Sequence, residues 1–275
     1  MGILLGALAS ILIGGSDFLG RYGTKRSHAI TTVGGALVGG IAISTIGVVL
    51  IPSTYATRDV VLGVLSGLVV GLALATLYEA MATSSAAIAG PLVALGVALF
   101  PLGWDLAFGA NLSWLIGLGV IVSLASLIFV TYSPGLTGNI GRGIRIALGS
   151  ALLWGVSTTL IGETGDDSGV WAPLAQRIVA LAVMVSLATA RSVPRFPQRS
   201  LFPMVLLSGV LGGAGMMAFV LGTQRGSLGA VAVASSMFPA VSAALSAAFD
   251  DDTLHWWQML GICGVIGGVA LMALG

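Results

Sequence analysis

The sequence repeats itself at an offset of 142 residues. Leu65-Ser66-Gly67-x-x-x-Gly71 returns as Leu207-Ser208-Gly209-x-x-x-Gly213, and Leu112-x-Trp114-x-x-x-x-Gly119 returns as Leu254-x-Trp256-x-x-x-x-Gly261. Solenoid repeats run to roughly 20–50 residues, so this period is too long for one. It fits a bundle of membrane helices. Of the 275 residues 57% are hydrophobic and only 8% charged, where soluble domains carry about 25% charge. So few charges cannot clothe a water-facing surface, and the bilayer is expected to be the main solvent. A mean hydropathy of +1.06 agrees.

About 20 apolar residues cross a bilayer as a helix. Ten such segments are predicted. The first five are Gly2–Arg21, Ala29–Ile51, Val60–Thr83, Ala86–Gly109 and Ser113–Tyr132; the second five are Gly143–Glu163, Gly169–Ala190, Leu201–Gln224, Gly229–Phe249 and Trp256–Gly275. The stretch Gly2 to Leu19 has no basic segment before it and no convincing cleavage site after it, so it reads as a retained first span. The predicted fold is an all-α membrane protein of ten transmembrane helices. It has a first five-helix repeat over residues 1–132, a linker over 133–142 and a second five-helix repeat over 143–275. Duplicating an odd number of spans turns the second half upside down relative to the first. Secondary transporters share this build, with a substrate site near the midplane where the halves meet.

In lipid, close backbone approach and hydrogen bonds hold helices together, because hydrocarbon offers no hydrophobic drive between them. Gly63, Gly67 and Gly71 line one face of the third span, and Gly35/Gly39, Gly209/Gly213 and Gly264/Gly268 do the same elsewhere. Trp114 and Trp256 open the fifth and tenth spans and read as interface anchors. Loops after odd-numbered spans carry most of the basic residues, among them Arg21, Lys25, Arg26, Arg142, Arg145 and Arg191; the even-loop side holds Arg58 and Arg225. The positive-inside rule places the odd-loop side in the cytoplasm.

Ionisable groups inside spans cost about 2.5–3.5 kcal/mol each on insertion scales, which makes each a functional candidate. Asp17, Glu79, Asp105 and Arg177 qualify. Asp17 can exchange a proton when a cationic or zwitterionic substrate arrives, or it can hydrogen-bond nearby Ser16 or pair with Arg21 one turn on. Glu79, beside Tyr78, can serve in the same way or pair with a basic loop. Arg177 can meet a substrate carboxylate or neutralise Asp105. Trp154 lies deep in its span and can line a cavity or the core. Pro91, Pro101 and Pro239 each remove a backbone hydrogen bond within a span, so spans four and nine are candidates to line a pathway, and Ser235-Ser236 before Pro239 strengthens this for span nine. None of the charged candidates repeats: Asp17 falls opposite Thr159, Glu79 opposite Leu221, Asp105 opposite Ala247 and Arg177 opposite Gly35.

Other chemistries find little support. A net charge of +1 makes no case for nucleic acid. Cys263 is the only cysteine and His28 and His255 the only histidines, so no metal site and no cofactor are expected. No nucleotide-binding motif is present. Asp250-Asp251-Asp252 resembles the aspartate-rich motifs of membrane prenyltransferases, but Glu163, Asp166 and Asp167 fall on the opposite side of the bilayer, and a solvated helix start is the simpler reading. The expected partners are a small-molecule substrate, the lipid bilayer and protons. The alternative is a membrane-embedded enzyme acting on lipid or prenyl substrates.

Certain motifs carry a family resemblance over nearly the full length. They are Gly15-Ser16-Asp17-Phe18-Leu19-Gly20, Tyr78-x-Ala80, Ala89-x-Pro91-x-x-Ala94-Leu95-Gly96, Ala175-Gln176-Arg177, Ser235-Ser236-Met237-Phe238-Pro239-Ala240 and Gln258-x-x-Gly261. In their order and spacing the chain resembles the EamA-type transporters of the drug/metabolite transporter superfamily. The resemblance implies two inverted five-helix repeats, a central cavity, and movement of amino acids, metabolites or drugs across the bacterial cytoplasmic membrane, often coupled to protons. It also implies cytoplasmic termini, opposite to the charge count. The family's Gly-Glu before spans five and ten is replaced here, with Ala110 and Asp252 at the Glu positions.

Overall fold

The structure, a computed structural model, describes residues 1–83, 86–131, 140–249 and 255–275, and within them the side chains of all but Tyr78, 81–83, 86–91, Thr131 and Ile140. These residues form helices and connections with no strand among them. The helices are α1 (Gly2–Arg26), α2 (Ala29–Leu50), α3 (Thr57–Thr83), α4 (Ala86–Ala107), α5 (Trp114–Thr131), α6 (Ile140–Gly162), α7 (Trp171–Ala190), α8 (Phe202–Thr223), α9 (Leu228–Ser235), α10 (Phe238–Phe249) and α11 (Trp256–Leu274). Eight spans are long and apolar enough to cross a bilayer, and the described apolar parts of α4 and α5 are shorter. The chain is a multi-pass membrane protein.

The ninth span is two helices. Regular α-helical bonding lapses at Ser236-Met237, where Ser236 keeps φ −69° and ψ −5°, and resumes at Phe238, with Pro239 as the second residue of α10. Proline tolerates that position because its missing N–H falls in the first turn. Every residue of α9 is buried, so this broken backbone lies inside the protein, where irregular backbone at membrane depth is tolerated.

Helices of one repeat pack mainly on helices of the other. α1 lies along α8, as α3 lies along α6; α2 lies along α8, as α7 lies along α3; α4 lies along α6, as α9 and α10 lie along α1. α2 with α7, α4 with α9, and α5 with α11 pair with their own counterparts. Exchanging each span with the one five places on maps this arrangement onto itself, as two inverted repeats require.

The repeated glycines stand at these crossings. A Cβ at Gly67 would lie 2.7 Å from the Gln176 carbonyl on α7, and one at Gly119 would lie 2.6 Å from the Gly268 carbonyl on α11. Trp114 and Trp256 are 74% and 68% exposed at the starts of their helices, as interface anchors would be.

Candidate functional site

The serine of the repeated Leu-Ser-Gly motif joins the two halves. On α3, Ser66 Oγ donates to the Ser157 carbonyl of α6 at 2.8 Å, the two hydroxyls lie 2.7 Å apart, and Ser157 Oγ lies 3.1 Å from the Ser66 carbonyl. On α8, Ser208 Oγ donates to the Ser16 carbonyl of α1 at 2.8 Å, with 3.3 Å between hydroxyls. Ser16 therefore matches Ser157, which puts α1 one residue out of the 142-residue register. Two glycines agree: a Cβ at Gly14 would lie 2.7 Å from the Phe238 carbonyl, and one at Gly155 would lie 2.8 Å from the Gly96 carbonyl. The counterpart of Asp17 is thus Thr158, not Thr159.

Asp17 follows the α1 serine. It is exposed, yet it does not face lipid. Leu4, Leu8 and Ile11 form the exposed apolar face of α1, and at about 100° per residue Asp17 stands about 180° from Leu8. It points between α8, which Ser16 touches, and α10, whose Val241 and Phe238 meet Gly14. Among the described residues Asp17 has no hydrogen-bond or ion-pair partner. Arg21, its predicted alternative partner, instead donates to Ser246 of α10. Thr158, in the matching place on α6, is only 4% exposed and bonds the carbonyls of Trp154 and Gly155.

Arg177 reaches across from α7. Its stem passes Gly40 of α2, where a Cβ would lie 3.3 Å from Cδ, and its Nη2 donates to the Gly212 carbonyl of α8 at 2.8 Å. Its Nε is buried without a partner. No acid pairs with it among the described residues. Gly212 is also where α1 comes close: a Cβ there would lie 2.8 Å from Ser16 Oγ. The guanidinium and the α1 segment bearing Asp17 therefore flank the same residue. Trp154 of α6 packs on the cluster of Leu37, Val70, Ala180 and Met184, one turn along α7 from Arg177, and its Nε1 too is buried without a partner.

The remaining candidates are placed elsewhere. Glu79 falls in line with Val61, Leu65, Leu68 and Leu72, the exposed apolar stripe of α3, and makes a 3.7 Å ion pair with Arg142. Asp105 does not neutralise Arg177; its Oδ2 accepts from Ser227 Oγ and the Gly229 amide, each at 2.7 Å, at the start of α9. Ser235 and Ser236 are buried, and their hydroxyls bond the carbonyls of Ala232 and Val233 in their own turn. They mark the break of span nine and donate inward. α4 runs unbroken through Pro101. The side chains of Tyr78 and Pro91, and all of Asp250-Asp251-Asp252, lie outside the described residues.

The two membrane sides differ. On the even-loop side, Arg58 Nη1 donates to the Glu163 carbonyl at 3.1 Å, the Gly165 amide to Asp59 at 3.2 Å, the Thr54 amide to the Asp167 carbonyl at 2.7 Å and Trp104 Nε1 to Glu163 at 3.0 Å. With the Asp105 bonds, these tie the two halves together at that end of the bundle. Ser16, expected beside Asp17, instead meets Ser208; the sequence pointed to none of Ser157, Gln176 and Gly212, and the repeated serine was the available signal.

Comparison with known families bears on the second half of this framework. Residues 141–274 match the EamA-like transporter family. The match takes in the helix carrying Arg177, the broken span nine and the glycine-rich last span. No curated protein matches the chain significantly. Among solved structures, the crystal structure of a protein 19% identical in sequence superposes with a TM-score of 0.79, covering 99% of this chain and 98% of its own. That likeness concerns the fold.

Proposed function

We propose that this protein is an EamA-type secondary active transporter that moves small organic solutes across the cytoplasmic membrane by alternating access, with Asp17 and Arg177 as its polar centre. One observation carries the reading. Inside a two-fold bundle, a guanidinium without an ionic partner among the described residues and the α1 segment that bears an unpaired carboxylate flank Gly212 at mid-span. A charge inside a span costs free energy unless something pairs with it. A solute with one carboxylate and one ammonium, such as an amino acid, completes both groups at once. Arg177 holds the carboxylate with its remaining donors, and Asp17 holds either the ammonium or a proton. Exchange between those two occupants couples solute to proton movement.

The test is uptake by reconstituted proteoliposomes across a panel of amino acids and related zwitterions. Saturable uptake that collapses with a protonophore supports the reading. A linear, non-saturating flux would assign the bundle to passive channels, and turnover of a lipid substrate without uptake would assign it to membrane enzymes.

A further inference from the structure

The two serine contacts are related by the two-fold, yet they are not equal. The α3–α6 contact is buried, with Ser66 0% and Ser157 1% exposed, and it carries an added donor: Gln176 Nε2 of α7 reaches Ser66 Oγ at 2.8 Å. The α1–α8 contact has the longer hydroxyl separation, and in the packing the place of Gln176, whose carbonyl faces Gly67, belongs to Ala36, whose carbonyl faces Gly209 and whose methyl has no donor to offer. Gln176 is itself 1% exposed, so its amide is committed to these serines. The buried contact sits toward the even-loop side, where that end of the bundle is tied by Asp59, Arg58 and Asp105. The looser one sits toward the odd-loop side, where Asp17 is exposed. Exposure follows the same sense, since Thr158 is covered where its counterpart Asp17 is open.

We infer that Gln176 is a latch: by clamping Ser66 and Ser157 it holds the even-loop side shut and biases the resting protein toward the state open on the odd-loop side. The inference rests on the transporter reading. In inverted-repeat proteins, alternating access exchanges the conformations of the halves around a fixed site. The opposite state needs the α3–α6 contact to loosen and the α1–α8 contact to tighten. Only the first change has to break the glutamine bond, so the two states differ in energy through a residue that the duplication did not keep. Gln176 adjoins Arg177 on α7, so a solute drawing the guanidinium away from Gly212 moves the helix that bears the latch.

The test is chemical accessibility of the closed side. In a Cys263→Ser background, Thr158→Cys reports on the even-loop side, and a membrane-impermeant maleimide measures how often that side opens. Gln176→Leu removes the amide and keeps the bulk; Ser66→Ala removes the hydroxyl it holds. A net hydrogen bond of ordinary strength corresponds to about a five-fold change in population, so labelling of Thr158→Cys is expected to quicken about five-fold in each variant. Unchanged labelling in both would overturn the latch, including the case where only the melting temperature falls, which is what a purely structural glutamine would give. The measurement needs no solute, so it fails or succeeds apart from the transport assay.

Discussion

Replacing Gly67 by alanine tests whether the repeated glycines hold the halves together by close approach. A methyl at that position would lie 2.7 Å from the Gln176 carbonyl oxygen and 2.8 Å from Val179 Cβ. The first obstacle is backbone, which cannot swing aside as the end of a flexible side chain can, so α3 and α7 must move apart. Overfilling a packed contact costs about 1–3 kcal/mol, and alanine's better helix propensity returns up to about 1 kcal/mol. The net loss is expected to lower the melting temperature by about 2–6 °C for a chain of this size. Gly149 is the control. It lies within α6 with no atom within 4 Å of an added Cβ, so Gly149→Ala keeps the propensity gain and is expected to melt at or slightly above the wild type. Tryptophan fluorescence during heating in detergent reads both. A Gly67→Ala protein that melts at or above the wild type, or a Gly149→Ala protein that loses as much, would refute the reasoning.

Two further substitutions separate scaffold from site. Asp105→Ala leaves Ser227 and the Gly229 amide without their acceptor; thermal melting should show a loss of about 1–3 kcal/mol, and Asp105→Asn, which keeps an acceptor oxygen, should recover part of it. Glu79→Gln breaks an ion pair whose side chains are 61% and 47% exposed; stability should change by no more than about 1 kcal/mol, and initial uptake rates should stay within two-fold of wild type.

Much of the scaffold was legible in the sequence because lipid imposes simple rules. Span length, the odd number of spans per repeat and the recurring glycines follow from hydropathy and spacing, and Pro239 marked the place where span nine breaks. The site was legible in part. Asp17 and Arg177 stood out because charges inside spans are costly, but charge alone does not say which face of a helix a residue occupies. Glu79 shows the difference: its alignment with Val61, Leu65, Leu68 and Leu72 places it on the outer stripe, and the heptad spacing was there to be read. Asp105 drew attention as a charge and proved to be a cap, because the start of α9 is distant in sequence and its amides cannot be anticipated from α4. Gln176 was hidden for the opposite reason. It is neutral, it adjoins an arginine, and its partners lie on two other helices, one of which, α6, is a residue out of the repeat's register.

In the proposed transporter, Asp17 and Arg177 form one shared transport centre. The direct measurement compares solute counterflow with proton-driven accumulation in proteoliposomes of wild-type, Arg177→Ala and Asp17→Asn protein. Wild type is expected to show both activities. Arg177→Ala should lose both, because the carboxylate of the solute has no seat. Asp17→Asn should keep counterflow and lose accumulation, because exchange needs a seat but uphill movement needs the proton. Both variants accumulating solute at the wild-type rate would contradict the central claim.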